Sequence, residues 1–391
     1  MGHDYVDMGV DMLDDFVPLN LRMALANATL ANDPMTNQVT QSHYGLLRLR
    51  AAIAKMYSPL IGQDLDPEAN TLITLGATEA IYAAFFGHTS SGDEWIVIEP
   101  AYSIYLPIIK MCRGVAKVTS LKLGKHKGEV HGNDWVLDKR ELASLFNART
   151  KGILVNNPLN PVGKVYTREE LQFIADLAVK YDALVITDEA HEWVAYKPHV
   201  RIGSLPGMFD RTITIGSATK SFSVSGWRIG WAYGPKDLIN NLKTVHRGSV
   251  YYTPTLQQIA LAYGFEEEIR NYGLPTSYFV SHREQVKVNR DLVVKAFLDA
   301  GMNLTIADGG SCMLVDWSPL KTRLPNVHGA TDFAKWLVAN IGILGLPATS
   351  YYSEKHQSMG EDYLRFCYNK KYYNLVEAAR RLKKIKYGIS Q

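Results

Sequence analysis

The stretch SATKSFSVSGWRIGW, residues 217–231, places one lysine among small and hydroxyl residues. Lys220 follows the apolar run TITIG, residues 212–216, which is typical of a buried strand, and Arg228 lies eight positions further on. A lysine at the end of a buried strand costs free energy unless it has a partner or a chemical role. Because a lysine amine can form an imine with an aldehyde, Lys220 is the first candidate for a catalytic residue.

Polar side chains also follow other apolar runs that we predict to be strands. They are Gly76, Ala77 and Thr78 after TLITL, Tyr102 after WIVIEP, Asn160 in NNPLNPVG after GILV, and Asp188 with His191 after ALVIT. Ser217 precedes Lys220 at the end of its own predicted strand. Ligands collect beyond the carboxyl ends of parallel strands, so these residues are predicted to share one site.

This set of groups is suited to a phosphorylated, planar and electron-poor aldehyde, and pyridoxal 5′-phosphate (PLP) is the cofactor with that chemistry. Thr78, Ser217 and Arg228 would bind the phosphate, together with the amide groups that open a helix. Asp188 would keep the ring nitrogen protonated, and Asn160 would donate to the ring hydroxyl. Each residue alone also has an ordinary role, as a helix cap, a turn former or part of the core. Their order on successive strand ends is what favours a cofactor site.

The strands that would position these residues alternate with helical patterns from about residue 45 to residue 272. Seven apolar runs predict strands, at residues 71–76, 94–100, 115–121, 151–158, 183–190, 211–217 and 228–234. Amphipathic patterns between several of them predict helices, and Thr167 with Glu170 forms a capping box at the start of one. Apolar strands alternating with helices are typical of a mostly parallel sheet covered on both faces.

After Pro275 the pattern changes to a long helix at residues 283–301, followed by short strands and further helices, which is typical of a smaller α+β domain. We therefore predict an α/β fold in three parts. They are an irregular N-terminal segment that packs with the small domain (1–44), a large PLP-binding domain with a seven-stranded sheet (45–282) and a small C-terminal domain (283–391).

The composition and the net charge limit the classes of binding partner and the cellular compartments that we expect for this chain. With 391 residues and a formal net charge of +3, the chain gives no reason to expect nucleic acid or a membrane surface. No apolar run is long enough to span a bilayer, and no metal site is predicted. Cys112, Cys312 and Cys367 are far apart without a C-x-x-C pair, which favours a reducing compartment. We predict a cytoplasmic location; a mitochondrial one would require that a transit peptide has been removed.

The order G-A-T, P-A-Y, N-P-L-N-P-V-G, D-E, S-A-T-K and G-W-R-I-G resembles the fold-type I PLP-dependent aminotransferases. Within them the chain is similar to the kynurenine aminotransferase, glutamine transaminase K and cysteine-conjugate β-lyase group, mainly over residues 148–235 and in YLRFCYNK. This resemblance implies a homodimeric enzyme with a ping-pong mechanism. It would move the amino group of an L-amino acid, of the kynurenine, glutamine, aromatic or sulfur-containing type, to a 2-oxo acid.

The resemblance also implies a role for each matching residue. Lys220 would be the Schiff-base lysine and the proton shuttle, and Asp188 would pair with the pyridine nitrogen. Asn160 would bond the ring oxygen, and Tyr102 would stack on the ring. The phosphate would be held by Ala77, Thr78, Ser217 and Arg228. Arg365, in DYLRFCY, would grip the substrate α-carboxylate through two parallel hydrogen bonds.

Several positions depart from the pattern of that group. His191 stands where the group has a tyrosine that donates to the ring oxygen, a bond that imidazole can also make. Asp11 stands where the group has a glycine beside the substrate, and it would contact a polar or cationic substrate or face water. Val39 stands in place of an aromatic residue, which leaves the subunit-crossing tyrosine without a counterpart. Tyr251 and Tyr252 stand in place of a Phe-His pair and are candidates to reach the site of a neighbouring subunit.

Other functions fit parts of the pattern. His191 in D-E-x-H is also similar to the PLP-dependent C–S lyases, so a cysteine S-conjugate β-lyase is an alternative. Asp11 makes a specialised biosynthetic PLP enzyme a further one. A binding protein of this fold without catalysis is the remaining class, because fold alone does not establish activity. The presence of Lys220, Asp188 and Arg365 together argues against it.

Overall fold

The protein is described from a computed structural model that covers residues 5–14, 17–31, 33–34, 42–126 and 128–387. Val39 lies outside the described residues. In chain order, the helices are α1 (Leu19–Leu30), α2 (Leu47–Ile61), α3 (Ala77–His88), α4 (Tyr105–Met111), α5 (Lys139–Leu145), α6 (Arg168–Lys180), α7 (Ala218–Ser221), α8 (Lys236–Ser249), α9 (Thr255–Arg270), α10 (Tyr278–Asp299), α11 (Gly329–Ile341) and α12 (Tyr372–Tyr387). The strands are β1 (Val6–Asp7), β2 (Thr71–Thr74), β3 (Glu94–Glu99), β4 (Val115–Ser120), β5 (Lys122–Leu123), β6 (Val130–His131), β7 (Trp135–Val136), β8 (Thr150–Asn156), β9 (Leu184–Asp188), β10 (Thr212–Ser217), β11 (Gly230–Tyr233), β12 (Asn303–Ile306), β13 (Cys312–Asp316), β14 (Ile343–Leu344), β15 (Leu346–Pro347) and β16 (Tyr363–Cys367).

The large sheet has seven strands in the order β2-β11-β10-β9-β8-β3-β4. Its neighbouring strands run parallel except for β11, which is antiparallel to both β10 and β2. Along β8, Ile153 packs in the core on the side of α6, whereas Leu154 packs on the side of α3 and α8. This burial on both faces explains why the strands are continuously apolar in sequence. The prediction of a mostly parallel seven-stranded sheet covered by helices is confirmed.

The capping box predicted at the start of α6 is present. The hydroxyl of Thr167 accepts a hydrogen bond from the amide of Glu170 at 3.2 Å, and the Glu170 carboxylate accepts one from the amide of Thr167 at 2.9 Å. The other oxygen of Glu170 lies 2.9 Å from the Nζ atom of Lys164, whose side chain is only 1% exposed. The loop between β8 and α6, which carries Asn160, is therefore tied to the helix that follows it.

The N-terminal segment is less irregular than predicted. Its first part does pack with the C-terminal region, because β1 pairs in parallel with β14 and the amide of Cys367 donates to the carbonyl of Met8 at 2.7 Å. Residues 19–30, however, form α1, which packs against α9 and buries Leu21 there. The expectation of irregular structure is wrong for α1. Its sequence, LNLRMALANATL, is rich in the strong helix formers Ala, Leu and Met.

A second sheet has the order β15-β16-β13-β12-β6. The helices α10, α11 and α12 cover it and share its core, with Phe297, Leu337 and Leu375 buried among the strands. Strand β6 comes from a distant part of the chain and pairs in parallel with β12, which no local pattern indicates. The domain boundaries drawn from the sequence stay a prediction.

The β13 and β16 strands carry a disulfide between Cys312 and Cys367, at directly opposed positions. The two cysteines are 55 residues apart, and only the strand pairing brings them together. The sequence argument from separated cysteines is therefore wrong for this pair, and the cytoplasmic location stays a prediction. Cys112 is free and buried, and burial raises the pKa of its thiol to about 12. None of the helices in the described ranges has both the length and the hydropathy to cross a membrane.

Candidate active site

A cavity of about 380 Å³ lies at the carboxyl ends of β8, β9 and β10. Most of the predicted site residues line it: Asp11, Ala77, Thr78, Tyr102, Asn160, Asp188, His191, Ser217, Lys220, Arg228 and Arg365. They come from the N-terminal segment, the ends of the large sheet and β16 of the second sheet. The structure therefore brings Lys220 and Asp188, on which the cofactor hypothesis depends, to one cavity.

Lys220 lies on α7, the single helical turn that follows β10. Strand β10 pairs with β9 so that Ile215 is opposite Asp188, which explains why the two residues come to the same edge of the sheet. The Nζ atom of Lys220 lies 2.7 Å from Oδ2 of Asp11 and also donates to the carbonyl oxygen of Asp11. Burial lowers the pKa of Lys220 although Asp11 favours its charged form, and the charge of Arg365 adds to the lowering.

Asp188 ends β9 and is buried. Its Oδ2 accepts a hydrogen bond from the hydroxyl of Tyr105 at 2.6 Å, and its Oδ1 accepts one from the amide of Ala190 at 3.1 Å. Burial raises the pKa of Asp188, and these two hydrogen bonds oppose the rise. Among the described residues it has no salt bridge. A buried carboxylate of this kind fits a cationic ring nitrogen as its missing partner.

Two residues that the sequence analysis left without a role position the predicted ones. Tyr105 donates to Asp188 from the first turn of α4. The Nδ2 atom of Asn156 donates to the carbonyl oxygen of Asp188 at 2.9 Å, and its Oδ1 accepts from the amide of Asn160 at 2.9 Å. Both left a signal in the sequence, since Tyr105 follows Tyr102 by one helical turn and Asn156 opens NNPLNP.

Arg365 lies on β16 and is 3% exposed. Its Nη1 donates to Oδ1 of Asn160 at 3.3 Å, and its Nη2 donates to the carbonyl oxygen of Gly9. Its buried Nε has no hydrogen-bond partner among the described residues, and the guanidinium lies 5.2 Å from the ring centroid of Tyr351. In the described part of the chain no carboxylate forms a salt bridge with it. A buried guanidinium with an unpaired donor fits the carboxylate of a small ligand.

The other end of the cavity holds the groups predicted to bind a phosphate. Helix α3 begins at Ala77, and the amide groups of a first helical turn have no partner inside the helix. Gly76 precedes it with φ 78° and ψ 166°, a backbone conformation that residues with a Cβ rarely adopt, which explains the glycine at this position. Arg228 forms no salt bridge with any described residue, and the hydroxyl of Ser225 is buried without a partner. A free guanidinium, free amides and an unpaired hydroxyl fit the phosphate of PLP.

Asp11 is held in place by two neutral donors. Its Oδ1 accepts from the hydroxyl of Ser311 and from Nδ2 of Asn369, both at 2.8 Å, and its side chain is 11% exposed. Burial alone would raise the pKa of Asp11, but Lys220 and a hydrogen bond from His191 hold it well below its ordinary value. Of the two alternatives left by the sequence, facing water is therefore wrong, because the carboxylate is enclosed in the cavity.

His191 lies between two neighbours of the same site. Its Nε2 is 3.4 Å from Oδ2 of Asp11, and its Nδ1 is 3.5 Å from the hydroxyl of Ser311. Both ring nitrogens therefore already face polar atoms of this chain. The hydrogen bond predicted from His191 to the ring oxygen of the cofactor stays a prediction.

Tyr251 and Tyr252 do not line the cavity. They follow α8, and their rings lie 4.3 and 4.7 Å from the ring of His43. Tyr251 is 45% exposed and has a φ of 71°. The structure thus does not bring these two residues to the site of their own chain, and their contact with a neighbouring subunit stays a prediction.

Comparison with known proteins gives consistent matches over nearly the whole chain. Residues 3–382 match the family described as aminotransferase class I and II. Kynurenine--oxoglutarate transaminase 1 of Rattus norvegicus is 39% identical, with 98% of this chain and 93% of the relative covered. The solved structure of Bna3p from Saccharomyces cerevisiae superposes with a TM-score of 0.89 at 29% identity, covering 98% of this chain and 91% of that one. N-succinyldiaminopimelate aminotransferase from Mycobacterium tuberculosis gives a TM-score of 0.87 at 29% identity, covering 97% and 93%.

Proposed function

Since the chain belongs to the aminotransferase class I and II family and is an aminotransferase, we propose that its amino donors are kynurenine, glutamine and related aromatic or sulfur-containing L-amino acids. The acceptor would be a 2-oxo acid such as 2-oxoglutarate, which the name of the rat relative includes. The observation that carries the proposal is the meeting of Lys220, Asp188 and Arg365 in one cavity. PLP, which the family implies, supplies an electron-withdrawing ring conjugated with the substrate nitrogen.

Arg365 and Asn160 orient the substrate. The unpaired Nε of Arg365 and one Nη group present two donors to the α-carboxylate, so that the planes of the two groups align. The Nδ2 of Asn160 remains able to donate to the ring oxygen, because its Oδ1 already accepts from Arg365.

Lys220 moves the proton. In its neutral form its amine would remove the proton from the substrate α-carbon and would carry it on Nζ as the proton shuttle. Burial and the charge of Arg365 favour this neutral form by lowering the pKa of Lys220. Asp188, fixed by Tyr105, keeps a proton on the ring nitrogen throughout, since a buried carboxylate strongly favours a cationic partner.

Several apolar or aromatic residues line the cavity and would face the substrate side chain. Val10 and Met12 of the N-terminal segment, with Leu346 and Tyr351 from the region of β15, line it together with Tyr102. Apolar and aromatic side chains of this kind favour aromatic or sulfur-bearing donors. That agrees with the aromatic and sulfur-containing donors named above.

We also propose a homodimer that closes the phosphate end of the site. The side chains of Thr78 and Arg228 are exposed, and they border a groove of about 590 Å³ on the outer surface. The groove is lined mainly by apolar side chains: Leu75, Tyr82, Ile104, Pro107, Ile108 and Val250. A second copy packed on this groove would remove the apolar surface from water and would lie beside Tyr251.

The proposed activity is tested by mixing the PLP-loaded protein with single amino donors and following the cofactor spectrum, then adding one 2-oxo acid at a time. Conversion by kynurenine, glutamine or aromatic donors, and its reversal by the oxo acid, is the expected result, and Lys220→Ala should abolish both. A cysteine S-conjugate supplied without an oxo acid is the comparison. Steady pyruvate release from it, with no conversion by the other donors, would replace the proposal with a β-lyase.

A further inference from the structure

The carboxylate of Asp11 uses its two oxygens for different tasks. Oδ1 accepts hydrogen bonds from the hydroxyl of Ser311, just before β13, and from the side-chain amide of Asn369, just after β16. Oδ2 is thereby turned towards Nζ of Lys220, 2.7 Å away. Because these two donors are neutral, they fix the carboxylate without cancelling its negative charge. That charge remains available to a group that faces Oδ2.

The nitrogen of Lys220 stands among groups of both signs. The titratable and charged groups around it are Asp11 from the N-terminal segment, Asp188 at the end of β9, His191 after β9, Tyr102 before α4, Tyr351 after β15, Arg228 after α7, Arg365 on β16 and Lys370 after β16. Arg365 and Lys370 repel a positive charge on Lys220, and burial disfavours it as well. Within the described residues Asp11 is the one carboxylate at salt-bridge distance from Lys220.

We propose that, before an amino acid binds, Asp11 is the counter-ion of the Lys220 nitrogen and keeps this nitrogen protonated at neutral pH, both in the free lysine of the protein without cofactor and when the lysine is joined to the cofactor. Asp11 is a positioning residue in this scheme, because it acts through Lys220. The part that concerns the bound cofactor rests on the proposed function. The aminotransferase group that the chain resembles has a glycine at this place, so the counter-ion is a feature of this chain's own sequence.

Asp11→Asn is the sharpest test, because its side-chain oxygen can still accept from Ser311 and Asn369 while the charge at Lys220 is removed. The readout is the visible absorbance of the PLP-loaded protein as a function of pH, which reports the proton on the lysine nitrogen. The midpoint should fall by roughly 1–3 pH units, the usual effect of losing an opposite charge at this distance. Asp11→Gly, which adds no new donor, should move it in the same direction.

Asp14→Asn is the matched control. Asp14 belongs to the same segment, and its Oδ2 accepts from Nδ2 of Asn374, away from the cavity. Its loss should leave the absorbance midpoint unchanged, although it removes a carboxylate from the same stretch of chain. Equal shifts in the control and in Asp11→Asn would assign the effect to a loosened segment and overturn the proposal.

A second readout separates this inference from the proposed function. In the full chain without PLP, an amine-directed acylating reagent at pH 7 should modify Lys220 about tenfold faster, or more, in Asp11→Asn than in the unchanged protein. Peptide mass spectrometry measures this rate. This holds even if no cofactor band or turnover is found, an outcome that would sink the proposed function alone. An unchanged midpoint and acylation rate, with a higher KM for cationic amino acids only, would make Asp11 a substrate contact instead.

Discussion

At the scale of single residues, three charged side chains of the site lack some of their hydrogen-bond or ionic partners among the described residues. Within the part of the chain that the structure describes, Arg365 has a buried donor without an acceptor, Arg228 has no salt bridge, and the carboxylate of Asp188 is bonded only to a hydroxyl and an amide. Each of these residues is opposite in charge to one group of the expected ligands. Arg365 matches an α-carboxylate, Arg228 a phosphate and Asp188 a protonated ring nitrogen. Unfilled buried groups cost stability, so binding is expected to stabilise the protein.

The hydroxyl of Tyr105 should set the lower pH limit of activity. Its hydrogen bond lowers the pKa of Asp188 against the effect of burial, so Tyr105→Phe should raise that pKa further. The ionised carboxylate is then lost at a higher pH as the solution is acidified. The acidic limb of the pH profile of kcat/KM should move up by about 1 pH unit, since a hydrogen bond to a charged group contributes about 1.5–3 kcal/mol.

The matched control for that change is Tyr166→Phe. Tyr166 is also a buried tyrosine, but its hydroxyl has no hydrogen-bond partner in the described ranges and it does not line the cavity. Its profile should coincide with that of the unchanged protein. An acidic limb that stays in place in Tyr105→Phe would show that Asp188 does not need this hydroxyl to remain ionised.

Arg365→Lys tests the carboxylate grip. Lysine keeps the positive charge but loses the planar pair of donors, and one lost hydrogen bond to a charged group corresponds to about a 10- to 100-fold effect. We expect KM for the amino acid to rise by that factor, with a smaller change in kcat, in steady-state kinetics. An unchanged KM for both the amino acid and the oxo acid would mean that their carboxylates bind elsewhere.

At the scale of elements, the loop between β8 and α6 presents Asn160 to the site, and an ion pair holds it. Glu170→Ala removes the carboxylate beside the buried Lys164 together with half of the capping box. Breaking a buried pair from one side costs about 3–5 kcal/mol, so the unfolding midpoint in urea should fall strongly. Glu169→Ala, in the same first turn but exposed, should change it little. Similar losses in both variants would show that the Lys164 pair contributes nothing beyond helix charge.

The sequence predicts the elements that depend on local patterns, but it does not predict the contacts that depend on pairing between distant residues. Apolar runs predict β8, β9 and β10, and the residues at their carboxyl ends meet as expected. The bond from Lys220 to Asp11 joins residues 209 positions apart, and the Cys312–Cys367 pair depends on the register of two strands. Periodicity along the chain contains no record of such contacts. Helix α1 is a different case, because its composition favours a helix and the sequence therefore did contain a signal for it.

At the scale of the whole molecule, the cavity is closed on one side by chain elements and open on the other. The N-terminal segment and β16 bring Asp11 and Arg365 over the substrate end. The end at Arg228, where the phosphate is predicted to bind, borders the apolar groove that contains Val250. In the proposed homodimer a second copy would complete the site and would link cofactor retention to assembly, because the groove proposed for the partner is continuous with the residues predicted to bind the phosphate.

Val250→Asp tests that link directly. A carboxylate in the apolar groove has to be desolvated for a second copy to pack on it, which costs several kcal/mol when no partner charge is available. Val250 lines the groove but not the cavity, so its change leaves the cofactor contacts of the single chain in place. Light scattering should report half the mass of the unchanged protein, and the dissociation constant for PLP should rise. Val376→Asp, at an exposed apolar residue of α12, should keep both the assembly and the affinity. A Val250→Asp protein that stays assembled and holds PLP normally would place any subunit contact elsewhere on the surface.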